Sequence, residues 1–187
     1  FRSLNFVEEN VDFLENNSDY VASTSPVRFE GGVFDRFAMG DNSIQDQNGE
    51  DRIIRFLDRW HANGRFFSLI RRKELQTSFN SEHFLGNDWV VILKLLKFGK
   101  FKRIGEGEVI LGRNGISHND IFSKYRTGVI NLVIPFKNLI LISFKLLYKA
   151  KLRKKILLSI NLLKLNFTAF IWQSKVLLYE LYKKITS

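Results

Sequence analysis

The C-terminal third of the chain constrains its fold most, because long apolar runs there are interrupted only by isolated polar residues. The polar residues of each run share one side of a helical wheel. They are Lys137, Asn138, Lys145 and Lys149 in the first run, and Asn161, Lys164, Thr168 and Lys175 in the second. This pattern predicts two amphipathic helices joined by the basic segment 149–155.

Charge divides the chain into two unequal halves. Residues 1–94 contain 11 Lys and Arg against 15 Asp and Glu, a balance of −4, whereas residues 95–187 contain 18 against 4, a balance of +14. A cationic surface attracts nucleic acid, anionic lipid or an acidic substrate. Leu and Ile dominate the positions between the lysines and no aromatic stacking platform accompanies them, so we expect an anionic membrane surface and no nucleic acid as the partner.

The tail, residues 128–187, has three interpretations. In the first, its apolar faces embed at the headgroup boundary of the inner face of the cell membrane, with the rest of the protein in the cytoplasm. Alternatively, its helices pack on the rest of the protein and their lysines are solvated. The third, a transmembrane anchor at 129–148, is disfavoured because it places Lys137 and Lys145 within the bilayer. Acidic residues within 1–20 argue against a secretory leader.

Composition sets broad limits on the class of protein. The chain has 187 residues, 45% hydrophobic and 26% charged, which is typical of one globular unit. It has no Cys, so disulfides, thiolate zinc sites and Cys nucleophiles are excluded. The sequence begins at Phe1 and its single Met is Met39, so we expect a fragment of a longer translation product.

Predicted helices and strands alternate in the first part of the chain, which indicates an α/β fold. Helices are predicted over 3–17, 51–60, from 71 onward, and from Asp88 to Gly99; strands are predicted over 20–22, 65–70 and 108–111. Residues 24–50 are rich in turn residues and are predicted to form a long loop or lid. We therefore divide the chain into an α/β part, 1–127, and a basic helical tail, 128–187.

A series of short motifs extends from residue 64 to residue 113. It comprises Gly64-Arg65-Phe66-Phe67-Ser68-Leu69-Ile70-Arg71-Arg72-Lys73-Glu74-Leu75, then Gly86-Asn87-Asp88-Trp89, then Gly99-Lys100-Phe101, Glu106 and Arg113. In this order the motifs resemble the acceptor-side half of family 2 glycosyltransferases. Residues 5–27 are similar to the helix and strand that follow the family's acidic metal-binding motif. The resemblance covers roughly residues 3–120, and its specificity lies in the order of the motifs.

The resemblance implies a partial GT-A fold, which has a Rossmann-like sheet with helices. It implies transfer of a sugar from a nucleotide-sugar donor to a lipid-linked or polysaccharide acceptor, such as a cell-envelope glycan, by inverting single displacement. The family's donor-binding motifs have no counterpart in this sequence. We therefore expect the donor site and its divalent ion, Mg or Mn, upstream of Phe1, and an inactive isolated fragment. The alternative function is a non-catalytic basic peripheral-membrane or scaffold module.

The resemblance identifies Asp88 as the general base that takes the proton of the acceptor hydroxyl. A helix N-terminus favours the ionised form of such a carboxylate, and the alternative is that Asp88 is only an N-cap. Trp89 and Trp60 offer flat faces for a sugar ring, or else lie at the edge of the core. Arg113 and His118 reach the donor phosphates, or else are solvated turn residues.

No metal site is expected within this sequence. The histidines at 61, 83 and 118 show no ligand pairing. The acidic segment with Asp41, Asp46 and Asp51 lacks the ligand spacing of a calcium-binding loop.

Overall fold

A computed structural model describes residues 5–79, 81–105, 107–112, 125 and 128–186 of the chain. The fold is mixed α/β. Its helices are α1 (Phe6–Asn16), α2 (Arg36–Met39), α3 (Gly49–Phe56), α4 (Arg72–Ser78), α5 (Asn87–Phe98), α6 (Val129–Val133), α7 (Lys137–Leu146) and α8 (Leu152–Thr186), with a 3₁₀ turn at Gly64–Phe67. Its strands are β1 (Tyr20–Thr24), β2 (Val27–Phe29), β3 (Leu69–Ile70), β4 (Lys100–Arg103) and β5 (Val109–Leu111).

The described strands form two small sheets. In the first, β1 lies between β3 and β4; it is antiparallel to β3, with Ala22 opposite Ile70, and parallel to β4, with Ala22 opposite Phe101. In the second, β2 and β5 are parallel, with Val27 opposite Val109. Parallel neighbours need a crossover connection, and the chain between β1 and β4 includes α3, α4 and α5.

Helix α5 forms the centre of the core. Its sequence is nearly continuously apolar, and residues 89–93, 95 and 96 are all buried, since α3, α4, β1 and α7 pack around it. The helix ends at Gly99, where a side chain would lie 2.8 Å from the backbone nitrogen of Val21 in β1. Glycine is therefore required for the close approach of α5 and β1.

Helix α8 packs on α3 and α7 through one stripe of small and apolar side chains. The buried members are Leu158, Leu162, Leu165 and Ala169, and they belong to the same hydrophobic cluster as α5 and β1. Two asparagines of α8 also face the protein. Asn166 Oδ1 accepts a hydrogen bond from the Phe136 amide at 3.0 Å, and Asn161 Nδ2 donates to the Ile54 carbonyl at 3.2 Å.

The predicted buried strand over 65–70 is wrong in its first half. Residues Gly64–Phe67 form a 3₁₀ turn, and only Leu69–Ile70 pair with β1. In this turn the Arg65 side chain faces inward, and its buried guanidinium Nε donates to the Asn42 carbonyl at 2.9 Å. Phe66 and Phe67 consequently lie on the surface, 44% and 40% exposed.

The predicted loop over 24–50 is also wrong in part, because the segment contributes packed structure. It contains β2 and α2, and Val27, Met39 and Ile44 are buried. The turn residues connect these short elements. Asp41 is buried among them, and its Oδ2 accepts from the Val27 amide at 2.8 Å. The helix predicted over 51–60 begins earlier and ends at Phe56.

The segment 129–148 does not form one long helix. It divides into α6 and α7 around Pro135, which ends the first helix because proline lacks an amide proton and restricts the residue before it. In the described part of the chain, α8 is the helix long and apolar enough to cross a membrane, over Leu152–Lys183, judged by length and composition alone. A well-packed core helix passes the same test, and α8 is partly buried against the protein.

Candidate functional site

Asp88 lies in the first turn of α5, but it is not the residue that caps this helix. The N-cap is Gly86, with φ of +84°, and α5 has no side-chain cap hydrogen bond. The half-buried carboxylate of Asp88 instead accepts a hydrogen bond at its Oδ2 from the Asn63 side-chain Nδ2, at 2.8 Å. A residue from a different part of the chain thus fixes the position of this carboxylate.

The ionisation of Asp88 differs from the expectation based on its place in the helix. Burial raises the pKa of the Asp88 carboxyl above its ordinary value, while the hydrogen bond from Asn63 and backbone amides at the helix start act in the opposite direction. Loss of hydration therefore outweighs the favourable helix end. A carboxylate with a raised pKa is a better proton acceptor than an ordinary exposed Asp.

Asn63 is itself held in place by His61. Asn63 has left-handed backbone angles, φ 53° and ψ 45°, and its amide donates to His61 Nδ1 at 3.0 Å. His61 Nε2 lies 3.2 Å from the Phe56 carbonyl. Because Nδ1 accepts a hydrogen bond, the proton of the neutral ring is assigned to Nε2, which donates to that carbonyl. Burial, followed by the nearby Arg65 charge, lowers the pKa of His61 to about 3.

The two predicted tryptophans lie together beside this group. The Trp89 ring stacks on His61 at a centroid distance of 4.3 Å, and Phe136 and Trp60 pack around it. Trp89 is only 5% exposed, so its indole belongs to the core and little of it remains for a sugar ring. Trp60 is 43% exposed and contacts Phe136 at 5.5 Å, so part of its surface is free for a ligand.

The other two predicted site residues, Arg113 and His118, lie outside the described residues. Sequence reasoning missed Asn63 and His61 as members of the site. The Asn63-Gly64 pair is a turn signal, and nothing in the pattern connects it with a carboxylate 25 positions later.

The acidic residues considered as metal ligands are paired with basic side chains. Asp41 pairs with Arg103 at 3.0 Å, and the Asp46 carboxylate binds Arg55 through two hydrogen bonds of 2.6 and 2.8 Å. Asp51 pairs with Lys154 of α8 at 2.9 Å. Within the ranges that the structure describes, no three His, Asp or Glu residues are grouped so as to hold a metal ion.

Two cavities lie in this part of the molecule, and Asp88 is not among the lining residues of either. One, of about 520 Å³, lies between the start of α5 and the helices of the tail; its described lining includes Phe84, Leu85, Asn131, Pro135 and Lys137. The other is an open cleft of about 460 Å³, which we call the arginine cleft. Five arginines line it, together with His61: they are Arg36, Arg55, Arg59, Arg65 and Arg103. His61 is therefore shared between the arginine cleft and the Asn63–Asp88 pair.

The outward side of α8 carries many apolar side chains, together with exposed Lys164, Thr168 and Lys175. Leu163, Phe167 and Trp172 are largely exposed there, and further exposed Leu, Ile and Tyr side chains continue along the helix to Ile185. A contiguous apolar surface of this kind marks a site of contact with a membrane or a partner protein.

Comparison with models of known protein families, with curated proteins and with solved structures finds no match to this chain. The fold and site define an α/β protein in which a half-buried carboxylate lies beside a tryptophan and a basic cleft, with an apolar helix at the C-terminal end.

Proposed function

We propose that this chain is the acceptor-side part of an inverting glycosyltransferase with a GT-A fold, in which Asp88 is the general base. The observation that carries the proposal is the Asp88–Asn63 hydrogen bond of 2.8 Å, which holds a half-buried carboxylate at the start of α5. The raised pKa of Asp88 brings the carboxyl closer to a working pH, as general-base catalysis requires. The order of the motifs around Asp88 supports the same reaction class.

In the proposed reaction, the acceptor hydroxyl donates a hydrogen bond to the Asp88 carboxylate. The hydroxyl oxygen attacks the anomeric carbon of the donor sugar, a new C–O bond forms, and the bond to the nucleoside diphosphate breaks. Asp88 takes the proton of the hydroxyl, and the diphosphate leaves with the electron pair of the broken bond. Asn63 holds the Asp88 carboxylate in position while the charge of Asp88 changes, because Asn63 Nδ2 donates a hydrogen bond to Asp88 Oδ2.

We assign the nucleotide-binding motifs of the donor site, and the Mg or Mn ion that would stabilise the leaving diphosphate, to residues outside this sequence; Arg113 and His118 stay predictions for contact with the donor phosphates. The sequence contains no Asp-x-Asp pair of the kind that the resemblance implies for the metal. For the described residues, the proposed part of the reaction is therefore acceptor binding and the proton that Asp88 takes.

The acceptor is proposed to lie in the 520 Å³ cavity beside the start of α5, with the exposed part of Trp60 as a second contact. The lining of this cavity is mixed apolar and polar, which suits an acceptor that carries both a glycan and a lipid. Helix α8 supports a location at the inner face of the cell membrane, because its outward apolar side chains are accompanied by the basic segment 149–155.

The test of the base is the Asp88→Asn substitution in the longest natural chain that contains these residues, with sugar transfer as the readout. We expect kcat to fall by roughly 10²–10⁴, the contribution typical of a general base, with little change in the acceptor KM. Asp12→Asn, an exposed acid on α1, is the matched control and retains full activity. Near-normal transfer by the Asp88 variant would contradict the proposal.

A second candidate, a non-catalytic basic membrane module, is favoured by the exposed apolar side of α8. Its test is sedimentation with phosphatidylglycerol vesicles. Phe167→Glu should weaken vesicle binding, whereas Val7→Glu on α1, similarly exposed, should not. Both functions predict this result, so the Asp88 variant decides between them: a binding module has no transfer activity to lose.

A further inference from the structure

The arginine cleft contains more positive charge than its own carboxylates balance. Arg55, Arg59 and Arg103 each pair with one acid, at 2.6 Å to Asp46, 3.1 Å to Asp58 and 3.0 Å to Asp41 respectively. Arg36 and Arg65 have no ion pair among the described residues. Five arginines against three carboxylates leave a net charge of +2 at the cleft.

Arg65 is the buried arginine of this cleft. It is 5% exposed, its Nε donates to the Asn42 carbonyl at 2.9 Å, and its Nη1 has no hydrogen-bond partner in the described structure. Burial lowers the pKa of Arg65 to about 10, so the side chain still carries its charge at neutral pH. The nearby Asp41 and Asp58 carboxylates offset part of the cost of this buried charge. Each of them is already paired with another arginine of the cleft, so an anion in the cleft would reduce the remaining cost by Coulomb attraction.

Two further guanidinium groups are gathered at the mouth of the cleft. Arg36 lies 5.2 Å and Arg59 4.9 Å from the centroid of the same exposed ring, Phe37. One ring thus orients two like charges, of which Arg59 is paired with Asp58 and Arg36 has no ion pair among the described residues. His61, which is neutral, adds no charge of its own to the lining.

We propose that the arginine cleft binds the phosphate or diphosphate group of a ligand, with Arg36, Arg59 and Arg65 as the groups that recognise it. Phosphate matches the planar fork of guanidinium donors, and a phosphoryl group with about two negative charges balances the net charge of the lining. The group belongs either to a soluble nucleotide or to a lipid-linked diphosphate. The site stands independently of glycosyl transfer, since it rests on binding and not on turnover.

The test is calorimetric titration of the full chain with inorganic pyrophosphate at low ionic strength. We expect Arg36→Gln and Arg59→Gln each to weaken binding about tenfold, the effect of losing one charge-assisted hydrogen bond. Both side chains are exposed, so the variants are expected to fold, and circular dichroism checks this. Arg72→Gln on α4 is the matched control: it removes an exposed arginine that does not line the cleft, and binding should be unchanged.

Lys151→Gln in the basic segment 149–155 separates the cleft from general attraction to a cationic chain. If this variant weakens pyrophosphate binding as much as Arg36→Gln does, or if wild-type protein does not bind pyrophosphate, the proposal is overturned. The source of the phosphate is decided by two ligands tested on wild type and on Arg36→Gln. They are a nucleoside diphosphate in solution and a lipid diphosphate in phosphatidylcholine vesicles. The ligand that binds more weakly to Arg36→Gln than to wild type identifies the source. If neither ligand binds more weakly to the variant, the proposed phosphate site is contradicted.

Discussion

Acid should destabilise this protein through His61, at a pH well above that at which ordinary carboxylates titrate. In the folded chain the ring is buried and stacked on Trp89, and its Nδ1 accepts the Asn63 amide. Protonation of Nδ1 would place two N–H groups against each other beside Arg65. The folded pKa of about 3 therefore lies far below the ordinary histidine value of 6.5.

The sign and size of the effect follow from proton linkage. Because the folded pKa is depressed, the unfolded chain binds more protons between about pH 6.5 and pH 3, so stability is lost as the pH falls through this window. Between pH 7.5 and pH 5 the loss from this one group amounts to about 2 kcal/mol. The raised pKa of Asp88 acts with the opposite sign, because a group with a raised folded pKa gains protons on folding.

The assay is urea unfolding at pH 7.5 and pH 5, followed by tryptophan fluorescence. His61→Gln, which has no titrating ring, should lose about 2 kcal/mol less than wild type between these pH values, whatever its stability at pH 7.5. His83→Gln removes an exposed histidine and should keep the wild-type pH dependence. Equal pH dependence of wild type and His61→Gln would refute the reasoning.

Three further substitutions test the packing around the site, each by urea unfolding. Gly40→Ala should cost about 2 kcal/mol or more, because Gly40 has φ of +67° and an added Cβ would lie 2.4 Å from His61 Nδ1; a loss below about 0.5 kcal/mol would contradict this contact. Leu162→Ala, on the buried stripe of α8, should lower the free energy of unfolding by about 2–4 kcal/mol. Leu163 is exposed, so Leu163→Ala should lower it by less than about 1 kcal/mol. Equal losses for the two variants would contradict the orientation of α8. Arg52→Gln should cost about 2–4 kcal/mol of unfolding free energy, because the buried guanidinium donates at 2.7 Å to the Leu96 carbonyl and at 2.8 Å to the Asp46 carbonyl. A cost below about 0.5 kcal/mol, as is usual for surface substitutions, would show that these hydrogen bonds matter little.

Patterns of neighbouring residues predict several elements well. Helix α1, strand β1 and strand β5 lie where apolar spacing and turn residues place them, and α5 ends at Gly99 as expected. These elements follow from sequence because their determinants are local: side-chain periodicity and a glycine required at one position. The α/β class follows from the same alternation. The resemblance to a glycosyltransferase rests on the order of motifs and stays a prediction.

A helical wheel also identifies the stripes of α8, but not which of them faces the protein. The wheel places Asn161 in a solvated polar stripe, yet this side chain donates a hydrogen bond to α3. The other members of this stripe, Lys164, Thr168 and Lys175, are exposed, and so are apolar side chains such as Leu163 and Phe167. Since apolar residues occur all around this helix, its periodicity alone does not select the buried face, and complementarity with α3 and α7 decides it.

The sequence by itself determined that Asp88 begins an apolar helix, that the chain is α/β, and that its positive charge lies in the second half. Only the tertiary structure decided the raised pKa of Asp88, the neutral state of His61 and the burial of Arg65. These properties depend on desolvation and on hydrogen bonds from residues distant in the chain, such as Asn63 to Asp88 and Asn42 to Arg65. A residue's pKa and its partners are set by the groups that folding brings around it, and local spacing carries no information about them.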